Sequence, residues 1–545
     1  MSPKTYRNPI IPGFNPDPSI VRVGKDYFVA TSTFEYFPGV PIYHSVDLVN
    51  WTLIGHALSR PSQLDMRTTE PSGGIFAPTL RYHEKRKRFY MTTSVVHNLA
   101  WGRPDEHVEP RGFYVWTDDI FQEARWSEPV YFDTLGFDQD LFFDDDGKVY
   151  LSTTFKTPFN GDPFEYMAVY ASEIDLDTGR NLTRPVLLRR PLPGVISAEG
   201  SHIVKKDGWY YLFTADNGTF DGHQEWVSRS KSPLGPYAPG DHNPIVFNDQ
   251  DMHVRATGHM DVVQDTEGGW WGVMLAVRPQ TGPDGKLRGS QLGRETFLVP
   301  IEWPTGGWPV LNDNKPVSTK GLTLGRSMAD QRLEREWRDD FDKETLSLGW
   351  YHIRTPLKQD WSLTHRPGWL TLFGNPYTID KQECPTALFR KQTAFSGTWI
   401  TELDFCPSQH GDEAGTTVYY SMYAFMAIGI RKSDHPEVGR YVFLRWVDPD
   451  TSERKEKRHD LDGLEAVQFR IEAKPESYTF SFKVAKDASW TEVGMLPMRV
   501  LMEQSARESV FTGTHLGIYA QGWGSTSCLQ PASFSFASFT ENDEL

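Results

Sequence analysis

The residues of this chain that could do chemistry are three acidic side chains, Asp17, Asp138 and Glu199. Together such groups could cleave a glycosidic bond, in which one carboxyl group protonates the leaving oxygen and another activates water or attacks carbon. Asp17 stands between Pro16 and Pro18 in "GFNPDPSIVR". Taken alone this is an ordinary turn, because proline fixes its own φ and biases the preceding residue toward extended conformations. Whether Asp17 is more than a turn residue depends on where the fold places the other two.

An internal repeat supplies the elements that must position them. Five segments share a charged or glycine turn followed by an aromatic and β-branched run: "GKDYFVATS", "RKRFYMTTS", "DGKVYLSTT", "DGWYYLFTA" and "GGWWGVMLA". Aligned on Phe28, Tyr90, Tyr150, Tyr210 and Trp271, they are separated by 62, 60, 60 and 61 residues. Each run is typical of a β-strand entered from a tight turn. The repeat predicts an all-β fold that begins with a five-bladed β-propeller, whose four-stranded sheets surround an axis.

Equivalent positions in the repeats carry the candidate catalytic groups. Eleven residues before the aligned aromatic residues lie Asp17, Thr79, Gln139, Glu199 and Met260, and one residue further back in the third and fifth repeats lie Asp138 and His259. The first strand of each blade lines the central channel of a propeller, so these positions converge on the axis. We therefore expect Asp17, Asp138, Glu199 and His259 to meet. A hydrated channel lining without catalysis is the alternative.

Composition limits the class of protein and of partner. A chain of 545 residues is too long to fold around one hydrophobic core, which predicts at least two domains. The formal net charge of −16 argues against a nucleic-acid partner, and no apolar run has the length of a membrane span. The 13% of aromatic residues suits a β-rich fold and stacking against sugar rings. The three cysteines, Cys384, Cys406 and Cys528, lack the spacing of a metal site.

Seven segments in order resemble one known family. They are "GFNPDPSIVR", "TSTFEYFPGVPIYHS", "GGIFAPTLRY", "GFDQDLFFDDDGKVYL", "AEGSHIVKKDGWYYL", "ATGHMDVV" and "LGRETFL". Together they are similar to glycoside hydrolase family 43, and above all to its two-domain β-xylosidases and α-L-arabinofuranosidases. The resemblance covers nearly the whole chain. It implies a five-bladed propeller and hydrolysis with inversion of configuration.

The resemblance also implies roles for the three carboxyl groups. Asp17 corresponds to the general base that activates water, and Glu199 to the general acid. Asp138 corresponds to a third carboxylate that keeps the pKa of the acid raised and orients it. A nearby negative charge does disfavour ionisation of a carboxyl group. Asp140 is the less favoured alternative to Asp138, because alternation along a strand puts it on the same face of the sheet but farther along the strand.

Further residues are implied as parts of the sugar pocket. Arg294 resembles an arginine that hydrogen-bonds sugar hydroxyl groups, although an ion pair with Glu295 is an alternative. Phe34 resembles an aromatic residue of the pocket wall, with a core role as the alternative. His259 resembles a histidine on the axis, in some relatives near a bound calcium ion or water cluster, and a core histidine is the alternative. No metal is assigned, and a structural calcium near His259 is left open. No cofactor is expected to be required for the reaction.

The second-blade motif departs from the family pattern. Phe76 and Thr79 stand where close β-xylosidases commonly carry Trp and Asp, which leaves the choice of sugar open. A missing hydrogen-bonding group can change substrate discrimination by orders of magnitude. We therefore place Phe76 in the substrate pocket without assigning the sugar it selects.

The last two hundred residues read as a second β domain. "WLTLFG" and "YTFSFKV" alternate like strands, and turns recur at short intervals. The predicted division is a propeller catalytic domain over 1–325, a linker over 326–338 and a concanavalin-like β-sandwich over 339–545. By resemblance, a loop of this sandwich with Phe511 closes part of the active-site mouth. An independent carbohydrate-binding module is the alternative.

These observations lead to one functional expectation with alternatives. We expect an exo-acting, inverting β-xylosidase that releases terminal β-1,4-linked D-xylose from xylooligosaccharides or arabinoxylan-derived substrates. An α-L-arabinofuranosidase, or an enzyme with both activities, is the close alternative, and a sugar-binding propeller without turnover is the remote one. The sequence does not show the oligomeric state, and a homo-oligomer is left open because relatives are frequently oligomers. The N-terminus "MSPKTYRNPI" has no apolar segment of a signal peptide, which predicts a cytoplasmic protein and leaves a secreted mature form open.

Overall fold

The computed structural model describes ten stretches of the chain. They are residues 5–97, 110–156, 167–249, 252–280, 289–433, 439–461, 463–484, 489–505, 511–522 and 524–542. Almost all regular structure in them is β-strand, with one α-helix, α1, at Arg499–Ser505 and two 3₁₀ turns at Glu123–Arg125 and Asn312–Asn314. None of the helices in these stretches is long and apolar enough to span a bilayer.

Twenty-five strands lie in the described part of the first 325 residues. They are β1 Tyr6–Arg7, β2 Ser19–Val23, β3 Asp26–Ala30, β4 Tyr36–Phe37, β5 Gly39–Ser45, β6 Thr52–Leu58, β7 Gly74–Ile75, β8 Thr79–His83, β9 Arg88–Val96, β10 Arg111–Thr117, β11 Val130–Tyr131, β12 Phe137–Phe143, β13 Val149–Lys156, β14 Met167–Glu173, β15 Val186–Arg189, β16 Ala198–Lys206, β17 Trp209–Asp216, β18 Gln224–Ser230, β19 Ala238–Pro239, β20 Val246–Phe247, β21 Arg255–Gln264, β22 Trp270–Val277, β23 Arg294–Glu302, β24 Val310–Leu311 and β25 Lys320–Gly321.

These strands form a propeller. Within the described residues, five antiparallel sheets follow one another along the chain, of which the first is β2-β3-β5-β6 and the last is β21-β22-β23-β24. Their first long strands, β2, β8, β12, β16 and β21, neighbour one another in a closed ring around the axis. The five aligned aromatic residues of the sequence repeat all lie on the second long strand of their sheets, β3, β9, β13, β17 and β22. One repeat therefore builds one sheet.

The N-terminal segment joins the first and last sheets of the ring. Strand β1 pairs with β25, and the Tyr6 hydroxyl donates a hydrogen bond to the Leu298 carbonyl at 2.7 Å. Asn8 and Leu298 exchange two further hydrogen bonds of 2.9 Å. These contacts fix the chain just before Asp17.

Fifteen strands in the described part of the remaining chain build the second domain. They are β26 Glu336–Asp339, β27 His352–Ile353, β28 Trp361–Ser362, β29 Leu370–Leu372, β30 Ala387–Lys391, β31 Gly397–Asp404, β32 Glu413–Ser421, β33 Ala424–Lys432, β34 Arg440–Val447, β35 Arg454–Leu461, β36 Val467–Lys474, β37 Ser477–Lys483, β38 Thr491–Pro497, β39 His515–Gln521 and β40 Ala532–Glu541. The predicted domain bounds stay a prediction; β25 ends at Gly321 and β26 begins at Glu336.

This domain is a sandwich of two sheets. One sheet contains β31 and β36, whose residues alternate between buried and partly exposed, and the other contains β32, β33 and β34, which are buried nearly throughout. Full burial arises because the second sheet packs on both faces. Met426 and Ile428 of β33 face the sandwich core, whereas Phe425 and Ala427 pack with Phe14 and Phe34 of the propeller. The sandwich is therefore docked against the propeller by a continuous apolar face.

Candidate active site

A cavity of about 220 Å³ lies at the axis of the propeller, beside the docked sandwich. Every site residue predicted from the sequence lines it: Asp17, Asp138, Glu199, His259, Arg294, Phe34, Phe76 and Phe511. Seven of these come from the propeller, and Phe511 comes from the sandwich. The structure thus brings together side chains that lie up to several hundred residues apart in the chain.

Irregular backbone at the start of the inner strands turns these side chains into the cavity. Asp17, Asp138 and His259 have φ values of 52°, 55° and 53°, and Gly200, next to Glu199, has a φ of 59°. In the third, fourth and fifth sheets the pairing register shifts at these positions, which marks β-bulges. A bulge re-aims a side chain and is common beside functional sites. The "NPDP" turn that surrounds Asp17 does the same in the first sheet.

Asp17 is held by donors on both carboxylate oxygens. The Ser32 hydroxyl donates to Oδ2 at 2.5 Å, and Arg294 Nη1 donates to Oδ1 at 2.7 Å. The side chain is buried, with 4% of its residue surface exposed. A buried carboxylate needs such partners because its removal from water is costly. The arrangement fixes the direction in which Asp17 can accept a proton.

Glu199 lies in a different electrostatic environment. Burial raises its pKa to about 7, and the nearby charges of Asp17 and Asp216 act in the same direction. A hydrogen bond with Ser197 and the Arg294 charge oppose this rise in pKa without cancelling it. Glu199 can therefore carry a proton near neutral pH and donate it, as a general acid must.

Asp138 and Asp140 have separate surroundings although they are two residues apart. Asp138 lines the cavity and accepts a hydrogen bond from the Gly200 amide at 3.0 Å. Burial, together with the charges of Glu199 and Asp17, raises the pKa of Asp138 well above its ordinary value. Asp140 instead does not line the cavity; Arg81 Nε is 2.9 Å from its Oδ1, and against the effect of burial the Arg81 charge lowers the pKa of Asp140. The structure thus leaves Asp138 as the third carboxyl group of the site.

His259 forms one wall of the cavity. Its Nδ1 is 3.9 Å from Asp17 Oδ1, and burial lowers its pKa to about 3, so the ring is neutral. Calcium takes six to eight oxygen ligands. Within the stretches that the structure describes, no group of three or more His, Cys, Asp or Glu side chains is arranged to hold a metal ion. A calcium ion near His259 stays a prediction.

Arg294 connects the two domains at the site. Its Nη1 donates to Asp17 and to the Thr219 hydroxyl at 2.8 Å, and its Nη2 donates to the Phe511 carbonyl at 3.0 Å. Glu295, the alternative partner suggested by the sequence, is bound by Arg278 at 2.7 Å instead. Arg294 is thus directed into the cavity, where its fork of donors can reach a ligand.

The remaining wall is aromatic. The ring of Phe34 stacks on Phe511 with centroids 5.5 Å apart, and Phe76 packs against Phe34 at 5.2 Å. Phe34 is 3% exposed, so it serves both the core and the cavity wall. Phe220, which is half exposed, stacks on the other side of Phe511 at 5.7 Å. Thr79, the second departure from the family pattern, is buried in β8 and does not line the cavity.

Sequence reasoning missed several residues of the site. Ser32 and Thr219 hold Asp17 and Arg294, and Phe220 extends the aromatic wall. Ser32 is part of the quoted segment "TSTFEYFPGVPIYHS", but nothing in that segment marks its hydroxyl group as a partner of Asp17. Thr219 and Phe220 lie in "NGTFDGH", between two strands, where the repeat alignment carries no signal.

Carboxyl groups of contrasting environment that face one cavity on a propeller axis define this protein as a glycoside hydrolase. Residues 6–309 match the family model for glycosyl hydrolases family 43, and residues 338–540 match that for the β-xylosidase C-terminal concanavalin A-like domain. The chain belongs to glycoside hydrolase family 43. The predicted all-β class, a propeller followed by a concanavalin-like sandwich, is confirmed.

Relatives of the chain share its whole length. A non-reducing end α-L-arabinofuranosidase of Bacteroides ovatus is 37% identical, over 99% of this chain and 95% of that protein. A xylan 1,3-β-xylosidase of a Vibrio species is 35% identical, over 90% of each chain. The crystal structure of a xylan β-1,4-xylosidase from Bacillus halodurans superposes with a TM-score of 0.87 at 30% identity, and covers 98% of this chain and all of that one. The family and fold are therefore shared by proteins with different named substrates.

Proposed function

We propose that this protein is an exo-acting, inverting glycosidase that releases a terminal pentose, with Asp17 as general base and Glu199 as general acid. One observation carries the proposal: both carboxyl groups face the same cavity, and burial raises the pKa of Glu199 to about 7. Asp17 in contrast is held by the Arg294 guanidinium at 2.7 Å. Two carboxyl groups in such different environments can act as acid and base in one reaction.

The proposed reaction is a single displacement. Asp17 takes a proton from a water molecule, whose oxygen attacks the anomeric carbon. Glu199 gives its proton to the glycosidic oxygen as the bond from the anomeric carbon to that oxygen breaks. The products are a pentose of inverted anomeric configuration and the shortened oligosaccharide, and solvent returns the proton from Asp17 to Glu199. Asp138 orients the acid, because it binds the Gly200 amide next to Glu199.

The shape of the cavity supports exo action. Its volume of about 220 Å³ is below the ~300–1,000 Å³ of sites that enclose a drug-sized ligand. Phe511 of the sandwich lies on its wall and stacks on Phe34. A pocket of this size that ends at Phe511 accommodates a terminal sugar unit rather than the middle of a chain. Arg294 would then bind hydroxyl groups of that sugar.

We propose β-D-xylose, from xylooligosaccharides or arabinoxylan-derived substrates, as the sugar released. Two relatives similar to this chain over most of their length are named as xylosidases, one for 1,3-linked and one for 1,4-linked xylan. The pocket is lined by apolar rings and a small number of polar groups, which suits a pentose without a charged substituent.

An α-L-arabinofuranosidase is the second candidate. It is favoured by the 37% identity to the arabinofuranosidase of Bacteroides ovatus. The wall residue Phe76, which packs between Phe34 and Phe137, lacks a hydrogen-bonding group. Such a wall does not by itself reject a second pentose of similar hydroxyl arrangement.

The substrate assignment is tested by comparing initial rates on an aryl β-D-xylopyranoside and an aryl α-L-arabinofuranoside with one enzyme preparation. We expect the xyloside to be hydrolysed faster. A preparation of Asp17→Ala serves as the control, since it must lose both activities if both arise from this site. A faster rate on the arabinofuranoside would overturn the xylose assignment in favour of the second candidate. Retention of either activity by Asp17→Ala would refute the assignment of Asp17 as the general base.

The stereochemical course is a separate prediction. Proton NMR of the reaction mixture in its first minutes should show the α-anomer of xylose from a β-xyloside, before mutarotation mixes the two forms. The reason is that water, activated by Asp17, attacks the face opposite the leaving group. A first product of β configuration would exclude the single displacement and require a covalent intermediate.

A further inference from the structure

Both backbone polar groups of Phe511 are bound by the propeller. The Phe511 amide donates a hydrogen bond to the Ser72 hydroxyl at 2.9 Å, and its carbonyl accepts one from Arg294 Nη2 at 3.0 Å. Its ring stacks on those of Phe34 and Phe220, with centroid distances of 5.5 and 5.7 Å. The propeller therefore sets the position of this sandwich residue in the cavity wall.

Ser72 is itself fixed in an unusual conformation. It is buried and has a φ of 63°, in the left-handed region that few residues other than glycine adopt. Its amide donates to Glu35 Oε2 at 3.0 Å, and Glu35 is a buried carboxyl group that follows the pocket residue Phe34. Gly74, two residues after Ser72, permits this packing, because a Cβ atom there would lie 2.1 Å from the Phe34 carbonyl oxygen.

The sandwich holds the same segment from its other side. Arg354, which is buried, donates from Nε to the Thr69 carbonyl at 2.7 Å and from its amide to the Glu35 carbonyl at 2.6 Å. The contacts form one chain of hydrogen bonds across the domain boundary, from Glu35 through Ser72, Phe511 and Arg294 to Asp17. Each link lies within the residues described.

From these hydrogen bonds we infer that Ser72 is a positioning residue that holds Phe511 in the pocket wall, and that Glu35 holds Ser72 in the conformation required for this contact. We call the hydrogen bonds from Glu35 to Ser72 and from Ser72 to Phe511 the latch. The Phe511 carbonyl in turn accepts from Nη2, one of the two terminal nitrogen atoms of Arg294, so the same contact helps to orient the guanidinium. The inference rests on the proposed function, because it assigns Ser72 and Glu35 to the binding of the sugar in that same pocket. Neither residue touches the cavity itself.

The test compares Ser72→Ala with Ser94→Ala. Ser72→Ala removes the hydroxyl group that accepts from the Phe511 amide. Alanine carries a Cβ atom as serine does, so it can adopt the same backbone conformation. Ser94 is a matched control, since it is fully buried in the neighbouring strand β9 and its hydroxyl group has no hydrogen-bond partner among the described residues. Loss of an unpartnered hydroxyl is expected to cost little.

We expect Ser72→Ala to raise KM for the aryl glycoside about tenfold and to change kcat less than about threefold. Hydrogen exchange of the Phe511 amide, followed by mass spectrometry of overlapping peptides without substrate, should be at least about fivefold faster. Ser94→Ala should change neither quantity. A Ser72→Ala protein with a lowered Tm, an unchanged KM and an unchanged Phe511 exchange rate would reduce Ser72 to a structural role and overturn the inference.

Two variants of Glu35 distinguish the loss of its hydrogen bond to Ser72 from a general loss of folding. Glu35→Gln keeps a carbonyl oxygen for the Ser72 amide and should behave like the parent enzyme in KM and in exchange at Phe511. Glu35→Ala should reproduce the Ser72→Ala effect on both. Equal effects of the two Glu35 variants would contradict the proposed hydrogen bond. The exchange measurement needs no turnover, so an enzyme inactive on both glycosides would refute the proposed function and still leave the latch to be judged.

Discussion

Asp17→Asn is expected to lower kcat by about 10³-fold on aryl xylosides and on xylooligosaccharides alike, because the water molecule loses its general base. The variant keeps the geometry of the site. Its amide oxygen can accept from Arg294 as Oδ1 does now, and its amide nitrogen can donate to Ser32. Initial rates and calorimetric titration with xylose measure the two effects separately. We expect sugar affinity to change less than about fivefold while turnover is lost.

Asp26→Asn is the matched control for this prediction. Asp26 begins the second strand of the same sheet, is partly exposed and pairs with His44 at 2.8 Å, away from the cavity. The substitution makes the same change in charge without touching the site, and activity should stay at the parental level. If Asp17→Asn kept more than about a tenth of the parental kcat, Asp17 would not be the base.

Glu199→Gln is expected to have an effect that depends on the leaving group. On xylooligosaccharides, whose leaving oxygen must be protonated, the rate should fall about 10²–10⁴-fold. On a 2,4-dinitrophenyl glycoside, whose phenolate leaves without a proton, the rate should fall less than about tenfold. The ratio of kcat/KM values for the two substrates in variant and parent measures this difference. A uniform loss on both would place Glu199 in binding or structure rather than in proton transfer.

The same residue predicts the pH dependence of the parent enzyme. Glu199 donates a proton only in its protonated form, and burial raises its pKa to about 7 from an ordinary value of 4.5. The protonated fraction of Glu199 is therefore high below pH 7 and falls as the pH rises through about 7. We expect kcat/KM on oligosaccharides to decline as the pH rises above about 7. In Glu199→Gln, assayed with the dinitrophenyl glycoside, this alkaline decline should be absent. A decline that persisted unchanged would have to belong to another group.

The contrast between the carboxyl groups follows from their partners. Asp17 faces a guanidinium and a hydroxyl group, whereas Glu199 is surrounded by buried groups and by the charges of Asp17 and Asp216. The charges that raise the pKa of Glu199 are thus those of Asp17 and Asp216. Asp138, whose own pKa is raised well above its ordinary value by burial and by the charges of Glu199 and Asp17, binds the Gly200 amide next to Glu199.

The sequence by itself was sufficient to predict the architecture and the positions of the site residues. A repeat near sixty residues, with an aromatic residue at each aligned position, predicts one sheet per repeat, and the aligned residues do lie on equivalent strands. Counting back from them identified Asp17, Asp138, Glu199 and His259, which all line one cavity. This worked because a propeller places equivalent positions of successive repeats around one axis, so that local spacing determines long-range proximity.

Only the tertiary structure decided which side chains act on one another. Alternation along β12 puts Asp138 and Asp140 on one face, and only the bulge between Phe137 and Asp140 sends one to the cavity and the other to Arg81. The partners Ser32 and Thr219, and the contact of Ser72 with Phe511, come from loops and from the second domain. Such contacts depend on how irregular backbone and docked domains meet. No spacing within a single repeat encodes them, because they are set by packing between segments far apart in the chain.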